Sequence, residues 1–194
     1  MRRRTVLSLA ALGAGLAGLA LTRGGDDAPP GEICVVAPPI ALDPAAGLAP
    51  LAAREVPAQA RCPVCGMFPA RFPDWAALAV FDDGAAQFLD SPLHLLLWLQ
   101  RVPRYTPGRE AAQLRALYLR DHATHAWLPA AQAFLVHGSD ALGPMRSPDL
   151  PAFADAAQAR RLAHGGARVL RFDELRAHLP DELATLAPRR HHGA

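Results

Sequence analysis

Seven of the 19 prolines in this chain fall within one stretch, Gly24–Ala60. Proline lacks a backbone N–H, and its ring blocks the interior of a helix. We therefore expect an extended linker over residues 23–60. The globular part of the chain then covers residues 61–179, and a short tail follows over residues 180–194.

The first residues carry a targeting pattern. Three arginines precede an uncharged apolar run from Thr5 to Thr22, an order that is typical of an export signal. Arg3-Arg4-Thr5-Val6-Leu7 resembles a twin-arginine signal. Gly18-Leu19-Ala20 offers a cleavage site, yet the run is long enough to remain as a membrane anchor. We expect residues 1–22 to direct export, with cleavage or retention as an anchor left open.

Composition narrows the class of protein. With 51% hydrophobic residues the chain can bury a core, and three cysteines are too few for a disulfide scaffold. The net charge is +2, and cleavage after Ala20 would leave 17 of the 20 basic residues against 18 acidic ones. A nearly neutral mature protein argues against a nucleic-acid partner, because nucleic-acid binders normally carry a basic domain.

The globular part alternates strand and helix patterns. Asp82-Asp83-Gly84 lies between two apolar runs and predicts a β-hairpin over Ala76–Leu89. Ser91 and Pro92 are typical of a helix start, and this helix extends to about Gln100. The pattern predicts further strands at Leu114–Arg120, Ala133–His137 and Ala167–Phe172, with helices at Pro151–His164 and after Asp173. The order β-β-α and then β-β-α-β predicts an α+β fold.

The segment Cys62-Pro63-Val64-Cys65-Gly66-Met67 is the most informative one, and three chemistries compete for it. A thioredoxin-type redox pair needs a helix that starts at the first cysteine, and Pro69 and Pro73 disfavour such a helix. A structural zinc site needs two further ligands, and His122 and His125 have the spacing of a usual histidine pair.

Met67 supports the third chemistry, Cu(I) binding. Thioether and thiolate sulfurs are soft donors that together select Cu(I) over harder ions. Gly66 lets the backbone turn so that Cys65 and Met67 can face one ion. Met145 is the only other methionine after the initiator, and it too lies in a Gly-Pro-bounded loop. The expected ligands are therefore Cys65, Met67 and Met145, with Cys62 or a histidine as the fourth.

Two other side chains receive simpler interpretations. His94 lies on an apolar helix one turn before Trp98, and we expect it to be a half-buried packing residue. Cys34 lies in the linker, as a lone thiol or as a disulfide partner of Cys62 or Cys65 in an oxidising compartment.

The cysteine segment is one of several short motifs that follow one another along the chain in a characteristic order. CPVCGM, AVFDDGAAQFLDS, LRDHATHAWLPAAQAFLVHGSDALGPM and GGARVLRFDEL together resemble the nitrous-oxide reductase accessory protein (NosL) family. The resemblance covers roughly residues 61–179, and it consists of several short motifs in the right order.

The resemblance implies a Cu(I)-binding metallochaperone rather than an enzyme. Family members are periplasmic or membrane-anchored, and they deliver copper to nitrous-oxide reductase together with an ABC-type membrane complex. The family's Cys-Gly-Met corresponds to Cys65, Gly66 and Met67, and its Gly-Pro-Met corresponds to a segment that ends at Met145. The implied fold has two ββα-type halves and is similar to part of organomercurial lyase.

Three features depart from the family pattern. Family members are commonly lipoproteins, whereas no cysteine directly follows the apolar run, so the anchor would be residues 5–22. Cys62 is an addition that could bind the ion or form a disulfide with Cys65. His122 occupies a position where an aromatic residue, usually tyrosine, is expected, so the resemblance does not support it as a ligand.

Overall fold

The computed structural model describes residues 37–186. Its first antiparallel sheet has the order β2-β1-β3-β4. The strands are β1 (Ala77–Phe81), β2 (Ala86–Leu89), β3 (Leu114–Arg120) and β4 (Trp127–Pro129). β1 and β2 form the predicted hairpin, and Gly84 takes the positive φ of 78° that its turn requires.

The second sheet has the order β6-β5-β7 and is also antiparallel. Its strands are β5 (Phe134–His137), β6 (Ala152–Phe153) and β7 (Arg168–Arg171). The helices of the described residues are α1 (Pro92–Leu99), α2 (Val102–Tyr105), α3 (Ala156–Leu162), α4 (Phe172–Ala177) and α5 (Asp181–Ala184).

Helix α1 forms the centre of the main core. The hydroxyl of Ser91 caps it by accepting a hydrogen bond from the backbone N–H of His94 at 3.2 Å. Every residue from Pro92 to Trp98 is buried, because the helix packs against β1 and β2 and also against α4. A helix covered on all sides in this way explains why its residues are apolar around the whole circumference.

The predicted α+β class is confirmed, but the halves divide differently from the prediction. We expected β3 to open the second half, whereas it lies between β1 and β4 in the first sheet. Leu117 and Leu119 of β3 contact the main core, while Ala116 and Tyr118 contact a cluster on the opposite face. A strand with apolar residues on both faces suits a central position.

The ββα unit occurs twice, as β1-β2-α1 and as β5-β6-α3. The similarity of the fold to part of organomercurial lyase stays a prediction.

Two element boundaries also differ. The helix expected over Pro151–His164 is shorter, because its first residues pair with β5 as strand β6 and α3 begins only after Asp155, whose carboxylate caps it. Helix α4 begins before Asp173, the expected cap. Instead, the carboxylate of Glu174 accepts a hydrogen bond from the backbone N–H of Arg171 at 2.6 Å.

The described part of the predicted linker, residues 37–60, lies against the outer face of the first sheet. Ile40 exchanges two backbone hydrogen bonds with Ala86, each of 2.8 Å. The apolar side chains between the prolines pack on Leu78, Val80 and Phe88, and they are Ile40, Ala53, Val56 and Ala60. Prolines exclude a helix here but do not prevent burial, so this part belongs to the packed body rather than to a free tether.

Two predictions lie outside the described residues: the export signal or anchor over residues 1–22 and the position of Cys34. The predicted tail over residues 180–194 is described only to residue 186, and there it forms α5, whose Leu183 is buried in the main core. Among residues 37–186, no helix is both long enough and apolar enough to cross a membrane.

Candidate metal site

The cysteine segment folds into a closed turn before β1. The backbone N–H of Cys62 donates to the carbonyl of Met67 at 2.9 Å, and the N–H of Gly66 donates to the carbonyl of Cys62 at 2.8 Å. Gly66 has a φ of 80°, a value that favours glycine. Both cysteines are free thiols. The turn therefore holds two thiols together without a disulfide.

Two further side chains join the thiols. Asp90 directly follows β2, and His94 lies in the first turn of α1. The ligand atoms of Cys62, Cys65, Asp90 and His94 all lie within 4.8 Å of one another. The thiol of Cys65 donates to one oxygen of Asp90 at 3.2 Å, and the other oxygen lies 2.7 Å from Nδ1 of His94. This spacing is compatible with a single bound metal ion.

The cluster is closed on one side and open on the other. Cys62 and Asp90 are fully buried and His94 is 4% exposed, whereas Cys65 is only partly buried. Cys65 is therefore the member of this group that is most accessible from the surface.

The buried carboxylate and imidazole stabilise each other's charge. Burial opposes the charge of Asp90, but hydrogen bonds from His94 and from both thiols outweigh it and lower the pKa of Asp90. Burial likewise opposes the charge of His94, but the hydrogen bond to Asp90 outweighs it and raises the pKa of His94 well above its usual range. Both shifts favour the charged forms, so the contact between the two buried side chains has the character of an ion pair.

The surroundings of Cys62 favour its protonated form. Burial raises the pKa of the Cys62 thiol well above its usual range, and the neighbouring Cys65 adds to the shift. A thiolate is the form that binds metal, so an ion bound here must displace the Cys62 proton.

The loop that carries Met145 is attached to the same end of α1. The buried carboxylate of Asp149 accepts a hydrogen bond from the backbone N–H of Leu93 at 3.2 Å. Gly143 packs on Asp149 so closely that an added Cβ would lie 2.5 Å from a carboxylate oxygen. Met145 itself is 46% exposed. The structure therefore presents this thioether on a fixed loop, while Met67 is partly buried within the cysteine turn.

A profile of the NosL family matches residues 53–180. The chain belongs to the NosL family. The crystal structure of the copper chaperone NosL from Shewanella denitrificans has the same fold, with a TM-score of 0.55 and 22% sequence identity over 65% of this chain and 96% of that chain. No curated protein matches the chain. The resemblance drawn from the motifs is thus confirmed at the level of family and fold.

His122 and His125, the pair considered as zinc ligands, lie away from the cysteines in this NosL-family fold. The ring of His122 packs between Trp75 and Phe153, with centroid distances of 5.0 and 5.7 Å. His125 is exposed, and its Nδ1 lies 2.7 Å from a carboxylate oxygen of Asp74. Neither histidine belongs to the four-residue group, so the structure does not bring them to the cysteines.

The sequence interpretation missed His94 and Asp90 as members of the site. We expected His94 to be a packing residue, and it is buried, but it also contacts Asp90 and belongs to the same group as the two thiols. A signal was present in the sequence. Asp90 and His94 are four residues apart across a helix start, a spacing that places the two side chains together.

Proposed function

We propose that this protein is a Cu(I) chaperone rather than an enzyme, and that copper is its cargo. The observation that carries the proposal is the closed turn that holds the thiols of Cys62 and Cys65 together, with Cys65 at the accessible edge. Membership of the NosL family supports it, and so does the name of the Shewanella protein, a copper chaperone.

The proposed ligands are the sulfur atoms of Cys65, Met67 and Met145, with Cys62 as a fourth donor. Thiolates and thioethers are soft ligands that suit Cu(I). The exposed thioether of Met145 can leave and be replaced by a donor of another protein. A site with such exchangeable ligands can retain the ion in solution and still transfer it on contact.

The proposed client is nitrous-oxide reductase, whose copper centres would receive the ion with the help of an ABC-type membrane complex. The proposed location is the periplasm, with the chain either soluble after cleavage or anchored to the inner membrane by residues 5–22. Family membership and the basic-then-apolar start of the chain support these assignments.

Zinc binding is the second candidate, because two cysteines, one histidine and one carboxylate can also form a tetrahedral zinc site. The thiol oxidoreductase alternative has less support. The residues after the cysteine turn form a short 3-10 turn at Pro69–Arg71 rather than the long helix that a thioredoxin-type pair requires.

The deciding experiment is an anaerobic titration with Cu(I) against a colorimetric chelator, alongside a titration with Zn²⁺. We expect one tightly bound Cu(I), and we expect Met67→Ala and Met145→Ala each to weaken binding by at least about tenfold. Leu142→Ala is the matched control, because Leu142 is exposed on the same loop but offers no donor atom.

Two results would overturn the copper assignment. One is unchanged Cu(I) affinity in both methionine variants. The other is preferential Zn²⁺ binding with metal-dependent folding. Reduction of insulin that requires both cysteines would instead identify a thiol oxidoreductase.

A further inference from the structure

We propose that the Met145 loop, residues 142–148, is the surface on which the copper acceptor docks, and that Arg146 binds a carboxylate of that acceptor. This inference rests on the proposed copper function and names the part of the molecule that contacts the partner. The supporting observations are grouped apolar side chains on a closed loop, an arginine in a backbone conformation that favours glycine, and the position of Met145 between them.

The Met145 loop is a closed hairpin. Leu142 and Pro148 form a β-bridge, and the N–H of Gly143 donates to the carbonyl of Ser147 at 3.0 Å. The N–H of Arg146 donates to the carbonyl of Gly143 at 2.9 Å. These backbone contacts fix the conformation in which the loop presents its side chains.

The apolar side chains of the Met145 loop are exposed as a group. Leu142 is 57% exposed and Met145 is 46% exposed, the two largest values among the large hydrophobic residues that the structure describes. Pro148, the bridge partner of Leu142, is exposed as well. Single exposed apolar residues are normal, whereas grouped ones mark interaction sites.

Arg146 has a backbone conformation that favours glycine. Its φ is 54°, and the other positive-φ residues within residues 37–186 are seven glycines and His125. In a three-residue hairpin loop the third residue commonly takes this conformation, and glycine is the usual residue there. An arginine at this position costs stability, and residues held in such conformations cluster where they serve a function.

The side chain of Arg146 is available to a partner. It is exposed, and no carboxylate in the part of the chain that the structure describes forms an ion pair with it. A guanidinium binds a carboxylate through two parallel hydrogen bonds, so an acidic residue of the partner is its complement. Two copies of this chain that met through the Met145 loop would bring their arginines together, because residues 141–148 contain no acidic side chain. Charge therefore favours a different protein over a second copy.

Copper transfer requires contact at this loop. In the proposed mechanism the bond between Cu(I) and the sulfur of Met145 breaks as a bond to a donor atom of the acceptor forms, and the oxidation state of the ion does not change. The acceptor must therefore approach the ion beside Met145. Leu142 and Arg146 lie in the same hairpin, so an acceptor in this position also covers them. The complementary surface is an apolar patch bordered by a carboxylate.

The test measures anaerobic copper transfer from the Cu(I)-loaded full-length chain to copper-free nitrous-oxide reductase in the presence of the ABC-type membrane complex. The proteins are separated at timed intervals, and the copper in each is quantified. We expect Leu142→Glu and Arg146→Glu each to slow transfer by at least about tenfold, with unchanged Cu(I) affinity in chelator competition. Leu48→Glu is the matched control and should transfer at the unaltered rate, because Leu48 is an exposed leucine outside the Met145 loop.

The variant Arg146→Gly separates docking from loop structure. Glycine adopts a φ of 54° without strain, so we expect the variant to be as stable in urea as the unaltered chain and to bind Cu(I) equally well. Transfer should still be slower, because the guanidinium is missing. A slower transfer in this variant therefore reports the lost side chain and not a distorted loop.

The outcomes separate the inference from the proposed function. The inference is overturned, with the copper function intact, if Arg146→Gly and both glutamate variants transfer copper at the unaltered rate. Equal slowing in Leu48→Glu, or no transfer from the Cu(I)-loaded unaltered chain, has the same consequence. A dimer of the unaltered chain that Arg146→Glu dissociates in sedimentation would identify a second copy as the occupant and also overturn the inference. Failure of the unaltered chain to bind Cu(I) overturns the proposed function itself.

Discussion

Two histidine–aspartate pairs in this protein have the same distance and opposite surroundings. Nδ1 of His94 lies 2.7 Å from Asp90, and Nδ1 of His125 lies 2.7 Å from Asp74. The side chains of the first pair are 5% and 0% exposed, whereas those of the second are 58% and 49% exposed. Distance alone therefore does not identify a functional pair. Burial beside two thiols distinguishes the first pair, because water screens the charges of the second.

The largest expected effect separates the two pairs directly. Asp90→Ala leaves the buried imidazole of His94 without its partner, and we expect it to lower the free energy of unfolding by about 3–5 kcal/mol. Urea denaturation measures this change at pH 7. A loss below about 1 kcal/mol would contradict the conclusion that Asp90 and His94 form a buried ion pair.

A second change tests the packing of Gly143 on Asp149, the residue that binds the start of α1. In Gly143→Ala the new methyl group would lie 2.5 Å from an oxygen of Asp149, so either the loop or the carboxylate must shift. We expect a loss of about 1–3 kcal/mol in thermal or urea denaturation, together with weaker Cu(I) binding because Met145 moves with the loop. Leu142→Ala on the same loop should change stability by less than about 0.5 kcal/mol. Equal effects of the two variants would show that the contact between Gly143 and Asp149 is unimportant.

His122, the neighbour of the exposed pair, should make stability depend on pH. Burial lowers the pKa of His122, so the unfolded chain binds its proton more readily than the folded chain does. The contribution of neutral His122 to the free energy of unfolding is complete above the ordinary histidine pKa of about 6.5, and it is lost as the pH falls below that value.

The variant His122→Phe tests this dependence. The phenyl ring can occupy the space between Trp75 and Phe153 without taking up a proton. We expect it to lose less stability than the unaltered chain between pH 7.5 and pH 5, by about 1 kcal/mol or less because the ring is partly solvated. His164→Gln, at an exposed position, serves as the control. Parallel stability curves for His122→Phe and the unaltered chain would contradict the prediction.

The smallest effect is expected at the exposed pair. Asp74→Ala removes a contact between two solvated side chains, and it should change the free energy of unfolding by less than about 0.5 kcal/mol. Cu(I) affinity should stay the same, because neither residue belongs to the four-residue group. A loss as large as that of Asp90→Ala would remove the distinction between the pairs.

Local patterns predicted some parts of the fold well. The Asp-Asp-Gly turn and the Ser91-Pro92 helix start lie where the sequence places them, because turn and cap preferences act over a few residues. The boundaries of α3 and the membership of β3 were not predictable in this way. Strand β6 has only two residues and is defined by its partner β5, and β3 is assigned to a sheet by neighbours distant in the chain.

The candidate site likewise has one part that the local sequence predicts and another that depends on tertiary packing. The Cys-x-x-Cys-Gly-Met segment indicates soft-metal chemistry by itself, because the donor atoms and the glycine turn are properties of six consecutive residues. The amino-acid sequence thus determined the family, the α+β class and the two thiols. Only the tertiary structure decided which histidine lies beside them. It selected His94 over His122 and His125 because the packing of α1 against the first sheet, and not spacing along the chain, sets which side chains meet in the core.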